Sequence, residues 1–153
     1  MTAGLRERGW RRAVFAAALA AGAALAAVAQ AAADQALEPG LYQVEVRISL
    51  PNVGVAAPAL NLTRCISPDD LLSGEAFSLL SDNPLKKCGM VDYQTTQSTA
   101  SYRIECAGPN RGYAIAAFDV RPNSYRGTIK MNMGGKNMTM SETQVGNRTG
   151  DCP

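Results

Sequence analysis

The chain of 153 residues contains no histidine. Its absence removes the commonest general base and the commonest metal ligand. Aromatic residues make up only 6% and charged residues 18%, against 46% hydrophobic. That composition is too apolar for a disordered tail, and the length allows one domain with at most a targeting segment. A multidomain enzyme is excluded. No Gly-x-Ser-x-Gly context surrounds any serine, and no phosphate-cradling glycine loop is present. The four cysteines show neither Cys-x-x-Cys nor ligand pairs two to four residues apart, so neither a redox motif nor a zinc site is indicated. With no catalytic constellation in view, the chain is expected not to be an enzyme and to need no cofactor.

What is present begins with an export signal. Arg6, Arg8, Arg11 and Arg12 precede an alanine-rich apolar run from Ala13 to Ala29. Ala29-Gln30-Ala31 and Ala31-Ala32-Ala33 both suit a small-x-small cleavage site. Residues 1–33 are therefore expected to be a cleaved signal peptide, leaving 34–153 as a single β-rich domain. Arg11-Arg12 lacks the polar residue that usually precedes a twin-arginine pair. Cleavage removes four of the 15 basic residues and one of the 13 acidic ones, leaving 11 and 12, a net charge of −1. No electrostatic case remains for nucleic acid, and none for stable membrane insertion after cleavage. The expected location is the periplasm.

The cysteines all lie beyond the signal. An even count in an exported domain implies two disulfides. Cys88 to Gln94 and Ala100 to Cys106 read as the arms of one hairpin with Gln97 at its tip. Cys88 then lies opposite Cys106, close enough to bridge, and Cys65–Cys152 is left as the second pair. In the chain-entropy model the long loop is worth roughly 4 kcal/mol and the short one about 3 kcal/mol.

The rest alternates as strands do. Tyr42, Val44, Val46, Ile48 and Leu50 share one face of a first strand, with Gln43, Glu45, Arg47 and Ser49 on the other. Leu60 to Ile66 is a second strand. Ser67-Pro68-Asp69-Asp70 is a helix start, with a capping serine, proline at the first position and acids at the positive end of the dipole. Gly74 interrupts that helix, and Glu75 to Leu80 can add one more turn. Gly112 to Arg121, Ser124 to Met133 and Lys136 to Val145 follow as antiparallel strands, joined at Pro122-Asn123 and Gly134-Gly135. Arg121 opposite Ser124 pairs Phe118 with Gly127, Ala116 with Ile129 and Ala114 with Met131. Met133 opposite Lys136 pairs Met131 with Met138 and Ile129 with Met140. The fold class is mainly β: a curved antiparallel sheet or partly closed barrel of about six to eight strands with one short helix.

Two features of the apolar face invite function. Ala114, Ala116 and Gly127, beside Phe118 and Ile129, leave room that either the helix or an apolar ligand could fill. Met131, Met133, Met138 and Met140 offer soft thioethers suited to copper(I), although methionine is also a flexible core filler and no histidine completes a site. The expected role is a binding module for an apolar small molecule or an envelope protein. Copper(I) binding and a purely structural or stress-related envelope role are the alternatives.

Seven stretches in order resemble a family of small exported bacterial proteins, domain of unknown function 3617. They are Gly40-Leu41-Tyr42-Gln43-Val44, Cys65-Ile66-Ser67-Pro68-Asp69-Asp70-Leu71, Cys88 with Asp92-Tyr93, and Cys106. Then come Ser124-Tyr125-Arg126-Gly127-Thr128, the Met-x-Met-Gly-Gly hairpin and Gly150-Asp151-Cys152. Tyr42 departs from the family's frequent tryptophan, and many members carry more methionine and glycine. The resemblance implies a β-rich periplasmic domain and brings no activity or catalytic residue.

Overall fold

The computed structural model describes residues 37–51, 57–108, 111–134 and 139–153. The expected signal peptide, residues 1–33, lies outside the described residues, as does Met138. Seven strands form one antiparallel sheet: β1 Gly40–Ser49, β2 Leu60–Ile66, β3 Gly89–Thr95, β4 Thr99–Glu105, β5 Tyr113–Arg121, β6 Ser124–Asn132 and β7 Thr139–Gly150. Their spatial order is β2-β1-β7-β6-β5-β4-β3. The last strand therefore sits between the first strand and β6.

The period-2 alternation places one side chain in two on a buried face. Tyr42, Val44 and Val46 of β1, Tyr102 and Ile104 of β4, Ala114, Ala116, Phe118 and Val120 of β5, and Tyr125, Ile129 and Met131 of β6 are all buried. The segment between β2 and β3 covers that face. It contains helix α1 (Pro68–Ser73) and two 3₁₀ turns, Glu75–Phe77 and Pro84–Lys87. Ser67 caps α1 in a full capping box with Asp70, and Gly74 ends it in the left-handed conformation (φ 85°). The extra turn expected over 75–80 is thus reduced to a single 3₁₀ turn, after which the chain runs extended.

The sheet is strongly curved. Tyr93 of the outermost strand β3 donates to the carbonyl of Leu71 at 2.9 Å. Leu71 is only five residues past the end of the opposite edge strand, β2. Because residues 68–71 are helical, the path from Ile66 to Leu71 spans only about 12 Å, whereas the outer strands of a flat seven-stranded sheet lie about 29 Å apart. Even with the reach of the tyrosine, a flat sheet cannot satisfy both ends. The sheet wraps around its cover without closing.

The two disulfides are Cys65–Cys152 and Cys88–Cys106, with Cα separations of 5.4 and 4.9 Å. Gly89 pairs with Glu105, which brings Cys88 opposite Cys106 as the hairpin pattern predicts. Further along, the pairing slips by one residue between Val91 and Gln94. Asp92, at φ 52°, occupies that bulge, and the tip is displaced from the expected symmetric turn at Gln97.

The β5–β6 register is the expected one, from Arg121↔Ser124 to Ala114↔Met131. The β6–β7 register is not. Met131 lies opposite Met140 rather than Met138, and Ile129 opposite Glu142 rather than Met140. The last described pair of β6 and β7 is Asn132↔Thr139, and the expected Gly134-Gly135 turn reaches into residues 135–138, which lie outside the described residues. A two-residue slip leaves every side chain on its predicted face, which is why face sorting alone could not detect it. β7 also continues past Val145 to Gly150, because β1 pairs along its other side.

Gly127 marks the tightest packing. A Cβ there would fall on the Phe118 ring and within 2.5 Å of the Ala117 carbonyl oxygen. Because a carbonyl in the ladder cannot move aside as a side chain can, Gly127→Ala is expected to cost about 1–3 kcal/mol. Urea unfolding should show a lower midpoint with an unchanged slope; an unaltered midpoint would contradict this packing.

Candidate functional site

Between its two 3₁₀ turns, over residues 78–83, the covering segment has neither helix nor strand, so its main chain there cannot satisfy itself internally. The inner face of the sheet supplies the partners. Tyr102 donates to the Phe77 carbonyl at 2.7 Å and Gln144 Nε2 to the Ser78 carbonyl at 2.8 Å. The Glu142 carboxylate accepts from the Leu80 amide at 3.0 Å and the Ser81 amide at 2.9 Å. Gln144 Nε2 also donates to Glu142 Oε1 at 2.6 Å. From the edge, Arg64 reaches the carbonyls of Glu75 and Ala76 at 3.0 and 3.4 Å.

Glu142 and Gln144 are the buried polar residues of the core, both at 0% exposure. Sequence reasoning missed them. The signal was there, since both share the inward parity of Met140 on β7. Polar residues on an inward-facing parity mark a buried anchor, and the covering main chain is what these two anchor. Gln144 Oε1 and the Tyr125 hydroxyl are left without a protein partner.

Burial raises the phenol pKa of Tyr42 and Tyr125 from 10.0 to about 12, and that of Tyr93 and Tyr102 in the same direction. For Tyr102 the nearby Glu142 and Glu75 charges add to the burial effect. The Asp70 carboxyl is held below its usual value of 3.8, first by the Ser67 backbone amide and then by the Ser67 hydroxyl.

The small-residue patch is filled by the chain itself. Ala114, Ala116, Phe118 and Ile129 are all buried. The Phe118 ring lies over Gly127. Phe77 from the covering segment lies tilted at 5.1 Å from Phe118 and edge-on at 5.5 Å from Tyr125. The space these small residues leave is taken by aromatic rings.

The cover does not reach one corner of the same face. Leu60 lies opposite Val46 on the inner side of β2, and Ile48 follows Val46 two residues on. Leu60 is 51% exposed and Leu50, just past β1, 40%. Ile48, Leu62, Leu80 and Met140 are only partly buried against the core. Together these residues form an apolar rim between the covering segment and the β1–β2 edge. The outer face of the sheet is mostly polar, with Tyr113 and Ile115 of β5 exposed on it, and it carries shallow hollows of about 550 and 570 Å³ that share Thr99, Asp119 and Arg126. One also borders Phe118 and Gly127, whose own side is the covered one.

The methionines gather at the same end. Met131 is 3% exposed and joins the core, while Met133 and Met140 are partly buried against it. All four cysteines are in disulfides. Among the described residues no group of three or more acidic, cysteine or histidine side chains could hold a metal ion, and no helix is long and apolar enough to cross a membrane.

A family model described as a protein of unknown function, DUF3617, matches residues 37–152. The chain belongs to this family. The match begins at the buried Leu37 and ends on the Cys152 disulfide, so it spans the β domain and both bridges. No curated protein and no solved structure matches the chain.

Removing the Glu142 carboxylate frees two amides that no other group reaches. Glu142→Ala is expected to cost about 2–6 kcal/mol, from two part-buried donors left unpaired at about 1–3 kcal/mol each. Hydrogen exchange at the Leu80 and Ser81 amides should accelerate before global unfolding; unchanged protection there would refute the anchor.

The pH dependence follows from the shifted groups. Asp70 has a lowered folded pKa, so its contribution is complete above 3.8 and is lost as pH falls through the folded value. The tyrosines have raised values, so theirs is complete below 10 and declines as pH climbs toward about 12. Thermal melts should show a plateau between these limits. Melts that stay flat from pH 9 to about pH 12 would contradict burial of the phenols.

Proposed function

We propose that this DUF3617 domain is an exported, periplasmic binding protein without catalytic activity, and that it takes an apolar ligand or an apolar segment of an envelope component. Two disulfides support an oxidising compartment. The lack of histidine and of free thiols supports a non-catalytic role.

The observation that carries the binding reading is the uncovered apolar rim. Single exposed leucines are ordinary on protein surfaces. Here Leu50 and Leu60 are exposed beside partly buried Ile48, Leu62, Leu80 and Met140, all continuous with the core. Contiguous apolar surface of this kind marks an interaction site. It also replaces the alanine–glycine patch as the place of binding, because that patch is filled by Phe77 and Phe118.

Native mass spectrometry of protein purified from the periplasm should show a retained apolar species or binding of an added long-chain fatty acid. Leu60→Asp places a charge on the rim without touching the buried anchors and should weaken that binding about tenfold or more. Fatty-acid affinity equal in Leu60→Asp and the parent protein would exclude the rim as the site.

A further inference from the structure

The β6–β7 register produces an arrangement that the expected register would not. Met131 lies directly across from Met140, and Met133, two residues on, is packed against the same core. Directly opposed residues have Cβ atoms about 4.5–5.5 Å apart, and diagonal neighbours remain within reach of long side chains. Each methionine adds three rotatable bonds before its methyl group. Three thioethers can therefore turn toward one point. We propose that Met131, Met133 and Met140 form a copper(I) site at this end of the sheet.

The chemistry of the surroundings selects the metal. Thioethers are soft, uncharged ligands that suit copper(I) and hold hard divalent cations poorly. The chain has no histidine, and its cysteines are all in disulfides. Glu142, the nearest inward-facing carboxylate on β7, already accepts from Leu80, Ser81 and Gln144. Among the described inward-facing side chains at this end of β6 and β7, the thioethers are the uncommitted donors. Access also differs from that of a pure filler: Met131 is buried, but Met133 and Met140 stand partly open at the rim. That graded exposure lets an ion enter from solvent and reach the innermost sulfur.

This site goes beyond the apolar-ligand reading and rests on different atoms, apart from Met140 at their shared border. Copper(I) supplied with ascorbate, which leaves disulfides intact, can be titrated into the purified exported protein against a competing copper(I) chelator. One equivalent should bind. Met133→Leu and Met140→Leu should each lower affinity about tenfold or more, with unchanged thermal midpoints. Met131→Leu should do the same if it remains folded; the two rim variants decide the question if it does not. Met90→Leu, on β3 at the far edge of the sheet, should bind as the parent does, and so should Leu60→Asp. Silver(I) should shift the methyl resonances of Met131, Met133 and Met140 but not that of Met90. Affinities equal in the parent and the triple leucine variant, or an equal loss in Met90→Leu, would show these methionines to be core filler only.

Discussion

Two backbone amides, those of Leu80 and Ser81, point at a carboxylate with no solvent exposure. The fold depends on that contact. A carboxylate moved out of water loses several kcal/mol of hydration, and hydrogen bonds to such a group return about 1.5–3 kcal/mol each. Glu142 accepts three, two from the covering main chain and one from Gln144. The exchange is near balance, so Glu142 acts less as a source of stability than as a constraint on position. It fixes where the extended part of the cover lies on the sheet. Gln144, Tyr102 and Arg64 extend the same arrangement along Ser78, Phe77, Ala76 and Glu75.

Curvature follows from this fastening. The cover is bound at β7 and β4 in the middle and through Tyr93 at the β3 edge, while its start is covalently continuous with β2. A short segment tied at all of these points draws the outer strands toward each other. The two edges are then treated differently. On β3 a bulge at Asp92 breaks the regular ladder, and Arg103 pairs with that aspartate at 3.1 Å. Such irregularity discourages another strand from adding. β2 has an unbroken register with β1 and carries the exposed Leu60. On the inner face of the sheet the exposed leucines lie at this second edge, so on that face the asymmetry is a property of one corner, while Tyr113 and Ile115 stand exposed on the outer face of β5.

Much of this architecture was legible because it rests on local periodicity. Tyr42 to Leu50 sort by parity, Ser67 to Gly74 carry both caps of α1, and Cys88 and Cys106 fall opposite one another at the base of a hairpin. What was not legible depends on distances between elements. A two-residue slip between β6 and β7 conserves parity, so no pattern of apolar residues distinguishes the two registers. The bulge at Asp92 leaves no mark in composition, since aspartate is ordinary in a turn-rich hairpin. Glu142 and Gln144 were assigned no role because their partners are main-chain amides and a carbonyl from more than sixty residues earlier. Sequence names the side chain in such a contact but not the backbone that meets it.

The small residues of β5 and β6 show how a gap read from sequence can be filled by the chain itself. Ala114, Ala116 and Gly127 do create room, and the fold fills it with Phe77 and Phe118. Aromatic rings at 5.1 Å with a tilted geometry lie in the favourable range for such pairs. An interior ligand would have to displace Phe77, and with it the Tyr102 and Gln144 contacts to Phe77 and Ser78. A small apolar molecule would have to offset two broken hydrogen bonds and an aromatic pair before gaining anything by entering. At the rim no such exchange is required. Leu50, Leu60 and Ile48 are already in place, and a ligand there would remove only water. In the proposed copper(I) site an incoming ion would meet the exposed end of the methionine row first and the buried Met131 last. Met133 and Met140 can reorient in solvent, whereas Met131 is held by the core and can only receive what the outer two deliver.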